Sequence, residues 1–106
     1  MQQGDIILIM FPFSNLKDYK VRPAILISGN NMAHLEDKWF CPITSKPGQD
    51  KIKLEGFVTR GHLDKESFAK PTVVATINQS RIIKQIGKIA PEKLAELIQK
   101  IKANLE

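Results

Sequence analysis

The chain has 106 residues, a net charge of +5, 42% hydrophobic and 25% charged residues. That length suits one domain with one core, and that composition excludes fibrous, disordered and disulfide-scaffold classes. No apolar run approaches the ~18 residues of a membrane span, so no membrane partner is expected. The single cysteine, Cys41, rules out an internal disulfide and suits a reducing cytoplasm.

Met1-Gln2-Gln3-Gly4-Asp5 lacks the basic start of a signal peptide. Asp5–Phe11 is short, almost wholly apolar and stopped by Pro12, which predicts a strand buried on both faces. The polar stretch 12–21 reads as a loop. Arg22 then stands before Pro23, and a residue before proline is pushed toward extended backbone. A strand over Pro23–Ser28 is expected, with Arg22 held at its entrance. Gly29-Asn30-Asn31 is a turn. Trp39–Thr44 is a third strand, with Pro42 marking an edge or bulge. Lys51–Leu54 alternates charge and aliphatic, as a half-wet strand does. Residues 56–70 are mixed, with a helical turn expected near Asp64–Phe68. Thr72–Ile77 and Arg81–Ile86 are two further strands around a turn at Asn78-Gln79.

Pro91–Leu105 reads as the one helix. Pro91 suits a first helical position, and Leu94, Leu97, Ile98, Ile101 and Leu105 form one apolar stripe. Glu96 and Lys100 are spaced for an ion pair along it. Five or six short strands and a terminal helix make a β-rich α+β fold, expected to close as a small barrel.

The excess positive charge lies in segments 12–22, 46–60 and 79–90, while 91–106 is neutral. It permits a polyanionic partner without requiring one. No Cys/His cluster with zinc spacing and no phosphate-cradling glycine loop occurs, so neither metal nor cofactor is expected. Cys41, between Trp39, Phe40 and Pro42, reads as a buried structural thiol. His34, His62 and Asp18 each stand between a proton-transfer role and a solvated loop position. Phe11 reads as core. Phe13 and Tyr19, flanking the basic loop, stand between packing and stacking on an unpaired base.

Taken in order, Gly4-Asp5-Ile6, Arg22-Pro23-Ala24 before an aliphatic strand, Pro42-Ile43-Thr44-Ser45, and Ser67 followed by Gly87-Lys88-Ile89 resemble the MazF/PemK toxins of type II toxin–antitoxin systems. The resemblance runs from Gly4 to about Leu97. It implies an SH3-like barrel working as a homodimer in the cytoplasm. It implies a metal-independent endoribonuclease that cuts single-stranded RNA, leaves a 2′,3′-cyclic phosphate and a 5′-hydroxyl, and is blocked by a cognate antitoxin. By position, Arg22 matches the family's catalytic arginine, and Thr44 with Ser45 the hydroxyl opposite it. Lys70 falls where a basic residue often sits. Phe13, Ser14, Lys20, Lys46 and Lys70 are the expected RNA contacts.

Departures are visible. The loop Ser14–Lys20 lacks the Gly and Glu of archetypal members, with Asp18 a stand-in for the acid. Ala75 and Thr72 replace residues that are often bulky, basic or acidic. The chemistry stands beside the resemblance: attack by a 2′-hydroxyl on phosphorus builds negative charge, which a fixed guanidinium and a hydroxyl donor offset. The alternative on the same barrel is a non-catalytic module, either a gyrase-poison-like toxin or an inactive partner-binding paralogue.

Overall fold

The computed structural model describes residues 1–12 and 19–106, with the backbone alone of Pro12 and Tyr19. The first strand explains its own composition. β1 (Asp5–Pro12) sends Ile6 into one apolar cluster with Ile25, Cys41, Ile43 and Leu54. It sends Ile7 and Ile9 into a second cluster with Ala24, Leu26, Phe40 and Ile77. Successive side chains of a strand point to opposite faces, so two clusters on two faces demand a near-continuous apolar run. Burying each such isoleucine stabilises the fold by roughly 1.5–3 kcal/mol.

β2 covers Tyr19–Leu26 and so begins four residues before Pro23. Arg22 therefore sits inside the strand, not at its entrance. Its partner on one side is β1, with Arg22 opposite Ile9 and Pro23 opposite Leu8. On the other side pairing begins only at Ala24, so β2 is an edge through Pro23. Proline is tolerated at such an edge because no ladder there requires its missing N–H. The extension escaped the sequence reading because Lys20, Val21 and Arg22 are exposed and polar on average.

β3 (Asp37–Thr44) carries Pro42 at a junction. Below it, Asp37 to Phe40 pair with β7 (Ala75–Asn78). Above it, Ile43 and Thr44 pair with β6 (Phe68–Ala69). The Pro42 carbonyl still accepts from the Lys70 N–H at 3.1 Å. β4 is only Ile52–Lys53, with the expected in–out alternation. The expected helical turn near 64–68 is absent: β5 (Val58–Gly61) and β6 flank an irregular segment there. β5 and β6, with four and two residues, carry no charge–aliphatic alternation like that of Lys51–Leu54 to mark them in the sequence. β8 (Ile82–Ile89) is longer than expected because it pairs with both β1 and β5.

The order is β4-β6-β3-β2-β1-β8-β5, with β7 on the far half of β3. Every pairing among the described residues is antiparallel. Two register shifts in the β1–β8 ladder, at Ile6/Ile7 and Leu8/Ile9, increase the local twist. The sheet curls into a half-barrel that one helix, α1 (Pro91–Ala103), closes from one side.

Pro91 occupies the first turn of α1, and Lys100 and Lys102 the last, where cations suit the helix dipole. Leu97 is 1% exposed in the first cluster, and Leu94 and Ile101 pack against it. Leu105 lies beyond the helix end and is 82% exposed, so the stripe ends one position early. Glu96 finds Lys93 at 2.9 Å, not the expected Lys100. The Lys93 stem is buried, and its ammonium sits 3.9 Å from the centre of the Phe57 ring. No helix among the described residues is long and apolar enough to cross a membrane.

Candidate active site

The β2–β3 ladder sets the site. Leu26 faces Phe40 and Ala24 faces Pro42. Arg22 and Thr44 each lie two residues beyond the last pair of that ladder, Ala24 with Pro42. The ladder has ended by then, so the strands part. The gap opens into a cleft of about 340 Å³ whose lining includes Arg22, Pro23, Thr44, Ser45, His62 and Asp64. Leu8, Val21, Ile43, Leu63 and Ile86 give it an apolar floor and side.

The guanidinium of Arg22 is exposed, and its backbone is held by the pairing with Ile9 on β1. Thr44 is half-buried at the last residue of β3. Its Oγ1 accepts the backbone N–H of Lys46 at 3.2 Å, a bond that does not use the hydroxyl proton. The Lys51 ammonium donates to the Lys46 carbonyl at 3.0 Å and ties down the same turn. Ser45 is exposed on the cleft rim. Arg22, Thr44 and Ser45 are thus brought together.

The lysines singled out in the sequence are more scattered. Lys20 is exposed one alternate position before Arg22 on β2. The Lys46 side chain is exposed just past Thr44. Lys70 lies outside the cleft lining, half-buried, where its carbonyl faces the Cys41 Sγ at 3.2 Å. Phe13, Ser14 and Asp18 fall outside the described residues, as does the side chain of Tyr19. Phe11 packs on the second apolar cluster with Ala75 and Ile82, as a core residue.

The two histidines separate. His34 lines a different groove, with Asp37 and Asn78. His62 enters the cleft, and its Nε2 lies 3.2 Å from Asp64 Oδ1. Only the pairing of β5 with β8 brings residue 62 near residues 22 and 44, and that pairing left no local signal in the sequence.

Cys41 is fully buried, and burial pushes its thiol from the ordinary value of 9.0 up to about 11. A backbone hydrogen bond from Lys70 and the charge of its ammonium pull the other way and do not offset it. A thiol held neutral in a core is a packing group and a poor nucleophile.

The family model described as the PemK-like, MazF-like toxin of type II toxin-antitoxin system matches residues 2–105. The chain belongs to this family. Its fold is similar to that of a MazE–MazF complex from Deinococcus radiodurans, with a TM-score of 0.80 at 19% identity, over 99% of this chain and 95% of that one. It is also similar to an endoribonuclease from a mycobacterial species, with a TM-score of 0.79 at 10% identity, over 99% of this chain and 90% of that one. A mycobacterial endoribonuclease in complex with its cognate antitoxin gives 0.78 at 11% identity, covering 99% and 92%. No curated protein sequence matches the chain. At these identities the likeness extends to the half-barrel and its terminal helix and not to the residues of the cleft.

Proposed function

We propose that the chain is a toxin endoribonuclease that cuts single-stranded RNA at the Arg22–Thr44 cleft. The observation that carries this reading is the convergence of Arg22, Thr44 and Ser45 on one groove, from strands that separate just where those residues stand. Family membership over nearly the whole chain supports it.

In this mechanism a ribose 2′-hydroxyl attacks the adjacent phosphorus. The P–O5′ bond breaks as the 2′-O–P bond forms, giving a 2′,3′-cyclic phosphate and a 5′-hydroxyl. Charge builds on the non-bridging oxygens. Arg22 is always cationic and offers a fork of N–H donors to them. Thr44 adds an O–H donor that its bond with Lys46 leaves free. Each fixed donor of this kind is worth about 3 kcal/mol of transition-state stabilisation. Arg22 supplies the positive charge, so the cleft works without a metal ion. An open, exposed groove suits a single strand whose bases splay out, and Lys20 and Lys46 on its approaches hold flanking phosphates. A cognate antitoxin acts by covering this groove, and the toxin works as a homodimer in the cytoplasm.

The test is incubation of purified protein with single-stranded RNA in EDTA, followed by analysis of the product ends. Cleavage to 2′,3′-cyclic phosphate and 5′-hydroxyl termini is expected. RNA left intact in both EDTA and magnesium would leave only a non-catalytic binding module on this barrel.

A further inference from the structure

We propose that His62, oriented by Asp64, is the general base that takes the proton from the attacking 2′-hydroxyl. This rests on the ribonuclease reading of the cleft. The route by which His62 arrives is built into the sheet. β5 ends at Gly61, which lies opposite Gly87 on β8. Gly61 has φ +66°, and a Cβ there would collide with the carbonyl oxygen of Ile86. A Cβ on Gly87 would stand 2.6 Å from the Arg60 carbonyl oxygen. Two facing glycines let the strands approach more closely than any side chain permits. The chain leaves that contact beside Ile86, itself part of the cleft, and the next residue is His62.

The side chain is set for proton transfer. Asp64 Oδ1 engages Nε2 at 3.2 Å, so the carboxylate holds the ring proton on Nε2 and leaves a lone pair on Nδ1. Histidine is the side chain that exchanges protons between pH 5 and 8, which matches a general base at neutral pH.

The other charges around the ring come from two directions. Arg22 from β2 and Lys65 from its own segment line the same cleft. A second groove, which His62, Asp64 and Lys65 also line, brings Glu55 and Glu66. Both of these carboxylates are bonded to Lys53, at 3.2 and 3.1 Å. Asp64 is the carboxylate within ion-pair distance of His62.

In the step itself, the 2′-hydroxyl proton passes to Nδ1 and the oxygen's electron pair forms the bond to phosphorus. The P–O5′ bond breaks, and the 5′-oxygen takes a proton from the water that fills the open cleft. Arg22 and Thr44 hold the phosphoryl oxygens throughout. His62 thus completes a set in which charge stabilisation comes from β2 and β3 and proton transfer from the segment after β5.

The experiment is single-turnover cleavage of a single-stranded RNA oligonucleotide containing one site already mapped with the wild type, from pH 5 to 9. It uses the wild type, His62→Ala, Asp64→Asn and Arg22→Ala. His62 is 84% exposed, so its removal leaves the fold intact, which circular dichroism checks. The expected result for His62→Ala is a fall of about 10²-fold or more at pH 7.5, with loss of the rising limb below pH 8. Added imidazole restores part of the lost rate. Asp64→Asn, which removes the ion-pair partner that orients the ring, lowers the rate by less than His62→Ala does. Cleavage by His62→Ala within about twofold of the wild type, with an unchanged pH profile, overturns the assignment while Arg22→Ala still reports on the cleft. A wild type that cuts no RNA overturns both readings together.

Discussion

The proposed mechanism gives the Thr44 hydroxyl two jobs that substitution can separate. Its Oγ1 accepts the Lys46 N–H at 3.2 Å, and its O–H is free for a phosphoryl oxygen. Thr44→Val keeps the shape and the branched Cβ and removes both. The lost turn bond is exposed, so it costs about 1 kcal/mol of stability or less. In the proposed mechanism the lost donor acts only as charge builds in the transition state, so its removal is expected to lower the cleavage rate by roughly 10²–10³-fold. Thr44→Ser retains both hydrogen bonds and keeps the rate within about tenfold, with the extra rotamer freedom of serine as the cost. The assay is single-turnover cleavage of a short RNA at saturating enzyme, with melting temperatures measured alongside. A Thr44→Val enzyme as fast as the wild type refutes the donor role. Equal losses in Thr44→Val and Thr44→Ser would mean that shape, and not the hydroxyl, is what the cleft requires.

The helix offers a matched pair. Leu97→Ala empties a site that is 1% exposed and should cost about 2–5 kcal/mol, while Leu105→Ala, at 82% exposure, should stay within about 0.5 kcal/mol. Thermal denaturation reads the difference, and equal effects would contradict the packing of α1 described above. Cys41 should resist alkylation at pH 8 in the folded protein and react on unfolding, since burial holds its thiol near 11. The unfolded thiol ionises near 9.0 and the folded one near 11, so this contribution is complete below about pH 9 and is lost as pH rises toward 11. Denaturant titrations across that range, compared with Cys41→Ala, check the sign. If Lys20 and Lys46 hold flanking phosphates, binding of an uncleavable 2′-deoxy analogue weakens steeply with salt, and replacing both lysines flattens the slope. Replacing Lys70, outside the cleft lining, should leave that slope unchanged.

What the sequence disclosed follows how far each signal reaches along the chain. The stripe from Leu94 to Ile101 and the apolar run from Ile6 to Ile9 are local, and both elements formed as their periods require. Arg22 and Thr44 could be matched because their neighbours, Pro23-Ala24 and Pro42-Ile43, carry a recognisable pattern. The start of β2 was hidden because an edge strand with wet side chains has no apolar period. β5 and β6 were hidden because the residues between them, rich in Asp, Lys and Glu, suit a helical turn as well as a loop. Their extended form is imposed by pairing with β8, β3 and β4, which is a property of the assembled sheet. His62 joined the cleft for the same non-local reason. Its glycine neighbours Gly61 and Gly87 are 26 positions apart and become informative only once they face each other.

Arg22 is the side chain on which the proposed cleavage depends most. Its most direct test is the cleavage of one single-stranded RNA by the wild type, Arg22→Ala and Arg22→Lys under identical conditions. The geometry predicts cleavage by the wild type and near-complete loss in Arg22→Ala with the fold intact. It predicts at most a small recovery in Arg22→Lys, because an ammonium restores the charge without the fork. Undiminished cleavage by Arg22→Ala would place the active site elsewhere on the barrel and contradict the account.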